Sequence, residues 1–266
     1  MQRVVFADSW SQYFAESGLE SFYDFFGYPA IETVGVNSKR NVVTFALGDG
    51  SGRRRFFMKR FFHPHFKDVF FARRNIGEFC SQGRFEWENA RLLLDNGVGT
   101  YKPVCCSEQT RWGLETKSFC ITEELRAECM TEFLRREWCH LERRAKERIM
   151  VSLAAFVRRI HALNIDMPDL YIWHIYVKED GNSGEPDFAV IDMHRMSRNV
   201  RISSKKMKSL GRLHYSMIDD YFDDELRRLL IQSYAAEGWA GDVTALVAQI
   251  EKQSVAISAK RGQKQY

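Results

Sequence analysis

Met167-Pro-Asp-Leu-Tyr-Ile-Trp-His174 and Val190-Ile-Asp-Met-His-Arg195 are the stretches that decide how this chain is read. Each sets an aspartate, Asp169 or Asp192, beside apolar residues. Phosphoryl transfer to an alcohol needs one carboxylate to accept the hydroxyl proton and a second, at the end of a short hairpin, to hold Mg²⁺. The two aspartates stand in that order.

The flanking sequence supplies the elements such a pair requires. Upstream, residues 148–162 form a strongly periodic helix, with Ile149, Leu153, Phe156 and Ile160 on one stripe, and 164–171 are irregular. Downstream, 173–177 and 188–191 predict a hairpin around a turn at 179–184, with Asp192 just past its second strand. The remainder reads as helices over 205–221, 224–236 and 242–257. The first half has a different character. Residues 8–26 carry Trp10, Phe14, Leu19, Phe22, Phe25 and Phe26 at near-helical spacing, and Gly27 with Pro29 ends the pattern. Strands follow over 31–36 and 42–47, then Gly48-Asp-Gly-Ser-Gly52 turns into a third, 55–61, which contains Lys59. A helix over 85–94 closes at Asn96-Gly97, and two further strands occupy 101–106 and 119–124. At Glu123-Glu124-Leu125 the chain changes to helix, which marks a hinge. Strands grouped ahead of helices predict an α+β, bilobal fold: a strand-rich lobe with opening helices over 1–124 and a helical catalytic lobe over 125–266.

The bulk properties exclude several classes. With 266 residues, 45% hydrophobic and 28% charged, the chain can bury one large core or two small ones, and pervasive disorder is not expected. No apolar run approaches the roughly 18 to 20 residues that span a bilayer. The opening ten residues lack a basic segment followed by an apolar one, so a cytosolic protein is expected. Cys80, Cys105, Cys106, Cys120, Cys129 and Cys139 include no C-x-x-C pair and no histidine at zinc-ligand spacing, which predicts reduced packing residues. A net charge of +4 permits an anionic partner, and the basic stretch 260–264 reads as a solvated end.

In this layout each polar residue meets a chemical need. Lys59 would neutralise the α- and β-phosphates of ATP, held by a carboxylate of the next helix; Glu86 is the better candidate and Glu88 the alternative. Asp169 would orient the acceptor hydroxyl and take its proton. His174 stands where the D-x-x-x-x-N kinase motif has its metal-binding Asn. Imidazole is a poorer Mg²⁺ ligand than an amide oxygen, so contact with phosphate or with Asp192 is the other role open to it. Asp192 would hold the ion bridging the β- and γ-phosphates. Taken singly, such residues are ordinary edge, turn or surface groups, and it is their joint order that specifies a kinase fold. No G-x-G-x-x-G precedes Lys59; Gly35-Val-Asn-Ser-Lys39 is the candidate phosphate-covering turn. The insert over 61–74, rich in phenylalanine, histidine, lysine and arginine, has two readings: a helix that packs its aromatic stripe on the small lobe, or a segment that lies on an anionic membrane surface or on a lipid-linked sugar.

Together these residues resemble the lipopolysaccharide core kinase family, the heptose and Kdo kinases of Gram-negative bacteria. Its D-x-Y-x-x-H loop is matched by Asp169, Tyr171 and His174, and its I-D-L-H-R loop by Ile191-Asp-Met-His-Arg195. Phe57-Met-Lys59, Phe85-Glu-Trp87, Asn96-Gly-Val98 and Ile121-Thr-Glu-Glu-Leu125 are also similar, so the resemblance covers residues 40–235. It implies a protein-kinase-like fold, ATP and Mg²⁺ as cofactors, and histidine at 174 as a family trait. Glu123 at the hinge becomes a nucleotide-binding position. The implied acceptor is a heptose or Kdo hydroxyl of the lipid A-linked core oligosaccharide, met by a cytoplasmic protein touching the inner membrane peripherally. No nucleic-acid partner is expected.

Two departures stand out. The family has His-Arg ahead of the catalytic aspartate where this chain has Met167-Pro168, which removes the arginine that pairs with a phosphorylated activation loop. Lys208-Ser-Leu210 replaces a Lys-Asp-Leu signature and loses a carboxylate that would brace the catalytic loop. An inactive kinase-fold binding module is one competing reading, and transfer to a protein or a small soluble alcohol is the other.

Overall fold

A computed structural model describes residues 4–178, 186–201, 203–262 and 264–266. The turn expected at 179–184 lies outside them. The chain divides into two compact units, Met1–Asn96 with Thr100–Leu125 and Gly97–Gly99 with Arg126–Tyr266.

Among the described residues, the first unit is built on a six-stranded antiparallel sheet. In chain order its elements are β1 (Val5–Phe6), α1 (Trp10–Ala15), α2 (Phe22–Phe26), β2 (Glu32–Asn37), β3 (Arg40–Leu47), β4 (Arg54–Phe62), α3 (Phe66–Ile76), α4 (Gln82–Asp95), β5 (Pro103–Arg111) and β6 (Leu114–Glu123). The strand order is β1-β5-β6-β4-β3-β2, which makes β4 an interior strand. Alternation along the strands sets the layers. Phe56 and Met58 of β4 join Phe14, Phe22, Phe25, Phe45, Phe119 and Ile121 in a buried core that includes α1 and α2. Cys106 and Cys120 instead pack with Trp87 of α4. The neighbours Cys105 and Phe119 belong to the first cluster, so adjacent residues serve opposite faces.

Several boundaries differ from the sequence expectation. Helix α4 starts at Gln82 rather than 85, because the Ser81 hydroxyl caps it by accepting from Arg84 N at 3.2 Å. Strands β5 and β6 run on through the polar stretch 107–118 and meet at Trp112 (φ 52°) and Gly113 (φ 78°), both left-handed. That pair suits the two-residue turn that matches strand twist. The polar composition had hidden the hairpin. Strand β1 and helix α5 (Met130–Glu137) lie outside the elements the sequence predicts; α5 buries only Met130, Thr131 and Leu134, too few to register as a period.

The second unit holds β7 (Glu128–Cys129), α5, α6 (Arg143–Ala162), β8 (Ile175–Lys178), β9 (Asp187–Val190), α7 (Ser203–Tyr215), α8 (Asp224–Ala235) and α9 (Val243–Arg261). The strands form a small sheet in the order β7-β8-β9. Helix α6 packs on α8, and α7 on α9. The α6 stripe of Ile149, Met150, Leu153, Phe156, Val157 and Ile160 is fully or nearly buried. Helix α7 stops at Tyr215, short of the expected 221, where Ser216 turns the chain by donating its hydroxyl to Leu213 O. The segment Gly97–Gly99 is docked along β9, with Val190 N donating to Gly99 O at 2.9 Å. A Cβ at Gly99 would lie 2.2 Å from Phe188 O, so only glycine fits there.

The six cysteines are free thiols. Burial pushes Cys80 and Cys106 up to about 12, which leaves them unreactive packing groups. No helix among the described residues is long and apolar enough to cross a membrane.

Candidate active site

The site residues fall in two groups, one in each unit. In the first unit Lys59 sits at the middle of β4, opposite Val42 on β3 and Cys120 on β6. Its Nζ reaches Glu86 Oε1 on α4 at 2.6 Å. Glu86 is fully buried, and the Tyr101 hydroxyl donates to the same oxygen. The other carboxylate oxygen, Oε2, is buried and among the described residues has no hydrogen-bond partner. A buried anion of this kind is stable only beside its cation, so the pair holds the ammonium in place. Glu88, the sequence alternative, instead lies 3.9 Å from Arg84 on the surface. The approach of α4 depends on Gly83, where a Cβ would stand 2.5 Å from Phe119 O on β6. Glu123 ends β6; its carboxylate meets Arg54 at 3.2 Å and its N–H donates to Lys102 O.

In the second unit the loop carrying Asp169 is tied down at many points. Asp166 and Ser197 exchange backbone hydrogen bonds, Val200 N donates to Asn164 O, and Ile172 N donates to the Ser216 hydroxyl. The Ser209 hydroxyl donates to Asp166 Oδ1 at 2.7 Å in a buried pair. Thus Lys208-Ser-Leu210, which lacks the carboxylate of the Lys-Asp-Leu signature, still braces the loop, with the hydroxyl on the helix and the carboxylate on the loop. Ile165, Leu170 and Ile172 are fully buried around the loop.

Asp169, Asp192 and His194 each direct a ligand atom to a common spot, all within 4.8 Å of one another. Asp192 adopts a left-handed backbone (φ 64°), an uncommon conformation that recurs at functional sites. His194 Nδ1 lies 2.9 Å from Asp192 Oδ1 and orients that carboxylate. His174 is not in this group. Its Nδ1 is 2.7 Å from Asp169 O; a carbonyl can only accept, so Nδ1 donates to it and fixes the ring against the loop. Arg195 grips both oxygens of Asp169, with Nε 2.6 Å from Oδ2 and Nη2 on Oδ1. Two carboxylates offer the hard oxygens that Mg²⁺ prefers, whereas the histidine nitrogen is the weaker donor, so the set suits a divalent cation anchored on Asp192.

In the sequence His194 and Arg195 stand within a motif that marks no task for either, and Tyr101 and Asp166 stand outside the motifs. The Asp-Met-His-Arg frame held the signal for the first two. Nothing local marked the others.

Comparison with known proteins assigns the chain to a family. The model of the lipopolysaccharide kinase (Kdo/WaaP) family matches residues 32–234, well over half of the chain. The chain belongs to that family. It is similar to the lipopolysaccharide core heptose(I) kinase WaaP of Escherichia coli strain K12, 29% identical over 139 residues, which is 50% of this chain and 52% of that protein. A second Escherichia coli protein of the same description is 30% identical over the same extent. The match spans about half the length of these relatives. A solved structure titled "WaaP in complex with acyl carrier protein" superposes with a TM-score of 0.72, covering 96% of this chain and 99% of that one at 20% identity, a likeness of fold. The α+β, kinase-like architecture expected from the sequence is therefore the observed one.

Proposed function

We propose that this chain is an ATP- and Mg²⁺-dependent kinase that phosphorylates a sugar hydroxyl, heptose or Kdo, of the lipid A-linked lipopolysaccharide core. The observation that carries the reading is the convergence of Asp169 and Asp192 on one spot, with Lys59 paired to a buried Glu86. Family membership supports the reaction type. When bound, Mg-ATP supplies the transferable phosphoryl group and much of the charge neutralisation. Lys59, braced by Glu86 and Tyr101, binds phosphate oxygens, and Asp192, oriented by His194, offers oxygen to the cation. Asp169 orients the acceptor hydroxyl and takes its proton as the new P–O bond forms and the bond to the ADP oxygen breaks. Each oxygen held by Arg195 keeps a further lone pair for that hydroxyl. Positioning and fixed charge supply most of the acceleration in such a reaction.

The experiment is transfer from labelled ATP into core-lipid A extracted from cells lacking this gene. Label enters the lipid fraction with the native chain, and Asp169→Asn abolishes it while nucleotide binding persists. Label in protein or in a soluble alcohol would move the acceptor. Nucleotide binding without any transfer would make the chain a binding module.

A peripheral membrane contact belongs to the same reading. Phe66, Phe70 and Phe79 are 64%, 53% and 52% exposed, with Phe70 in ring contact with both others and Arg73 over Phe79 at 4.4 Å. Lys67, Arg73 and Arg74 are exposed beside them, a combination that suits an anionic lipid face. Binding to phosphatidylglycerol vesicles that is lost in the Phe66→Ser/Phe70→Ser variant is the expected result. Absence of vesicle binding removes the contact.

A further inference from the structure

The carboxyl-terminal segment, which the sequence presents as a solvated basic end, lies against the loop that carries Asp169. Arg261, the last residue of α9, donates from Nη1 to the Tyr171 hydroxyl at 3.0 Å, with its guanidinium 6.0 Å from the ring centroid. Lys264 Nζ stands 4.3 Å from the Trp173 ring centroid. Tyr171 and Trp173 are themselves stacked, centroids 4.7 Å apart and planes 12° apart. Both rings meet His174 edge-on, and His174 is bonded to the Asp169 carbonyl. The segment is fastened independently of the two cations. Tyr266 stacks on Tyr221 and donates its hydroxyl to Ser216 O at 2.7 Å, and the Tyr215 hydroxyl donates to Gly262 O. Ser216 is also the residue whose hydroxyl accepts from Ile172 N in the catalytic loop.

Arg261 and Lys264 are exposed, and among the described residues no carboxylate pairs with either. A cation held on an aromatic face keeps most of its N–H donors for another acceptor. We propose that Arg261 and Lys264, fixed on Tyr171 and Trp173, form an oxyanion subsite for the acceptor, receiving a carboxylate or phosphate near the hydroxyl that Asp169 addresses. The subsite rests on the kinase reading above. It gives the tail a task in acceptor recognition.

The test is equilibrium binding of deacylated core oligosaccharide from the deletion cells, without nucleotide, beside binding of a non-hydrolysable ATP analogue. Arg261→Gln and Lys264→Gln each weaken oligosaccharide binding about tenfold, the scale of one charge-assisted hydrogen bond, and leave the analogue within twofold. Lys264→Arg keeps oligosaccharide binding. Oligosaccharide treated with hydrofluoric acid keeps its carboxylates and loses its phosphates; undiminished binding assigns the subsite to a carboxylate, and a tenfold loss, absent in Lys264→Gln, assigns it to a phosphate. Unchanged binding in the double variant overturns the proposal. So does an equal loss for the ATP analogue, or a Lys264→Arg variant as weak as Lys264→Gln. Failure of the kinase reading shows separately, as a native chain that binds oligosaccharide and transfers no phosphate.

Discussion

Arg195 holds Asp169 by both carboxylate oxygens, and this fork is what a guanidinium can make and an ammonium cannot. The chain lacks an arginine directly ahead of Asp169, having Met167-Pro168 there, and the arginine that grips the aspartate arrives from the following loop instead. Arg195→Lys keeps the charge and loses the fork, so kcat is expected to fall about tenfold or more with nucleotide affinity unchanged, checked by steady-state kinetics beside nucleotide titration. Ser209 acts on the same loop through Asp166. Ser209→Ala removes a donor from a buried carboxylate and is expected to cost about 1–3 kcal/mol in chemical denaturation. Ser209→Asp, which restores the family signature, sets a second carboxylate against Asp166 and is expected to be worse than alanine. Lys59→Met strands the buried Glu86 charge and lowers both stability and nucleotide binding; adding Glu86→Gln recovers the stability alone. A calorimetric melt and a nucleotide titration on the pair of variants check that split.

At the scale of elements, two glycines set the positions of the site-bearing segments. A methyl at Gly83 would press on Phe119 O and lift α4 off β6, and one at Gly99 would press on Phe188 O along β9. Each alanine substitution is expected to cost about 2–3 kcal/mol, read as a lower urea midpoint. Gly83→Ala carries the further expectation of weaker nucleotide binding, because α4 delivers Glu86 to Lys59. Gly99→Ala leaves that pair intact. The sequence marks neither glycine, since the clash is with backbone from a distant strand. By contrast the α6 stripe was legible in its residues, because Leu153, Phe156 and Ile160 recur at the helical period and all end up buried.

For the molecule as a whole, two buried imidazoles weaken the fold on the acid side, opposed in part by Glu115, whose carboxyl is pushed up to about 7 by burial. Burial pushes His161 down to about 3 against its partner Tyr234, and burial with Arg227 nearby pushes His214 down to about 4. Both values lie below that of the unfolded chain, about 6.5, so the unfolded state takes up protons that the folded state refuses. The stability from these groups is present above pH 6.5 and is lost as pH falls towards 4 and 3. His161 alone contributes a slope approaching about 1.4 kcal/mol per pH unit in that window. Denaturation midpoints are expected to drop from pH 7 to pH 5, and to drop less in His161→Gln. What the sequence determined by itself was the apolar periods, the paired aspartate frames, and the order of Lys59, Glu86, Asp169 and Asp192 along the chain. The first two depend on neighbours within a few positions and the third on sequence order alone, and so all survive in a linear reading. The tertiary structure alone decided that Glu86 rather than Glu88 meets Lys59, and that His194 rather than His174 joins the two aspartates. It also decided that Ser209 answers Asp166, and that Arg261 and Lys264 rest on Tyr171 and Trp173. Each of these contacts joins residues from separate elements, and only the packing of the core fixes which polar group stands opposite which.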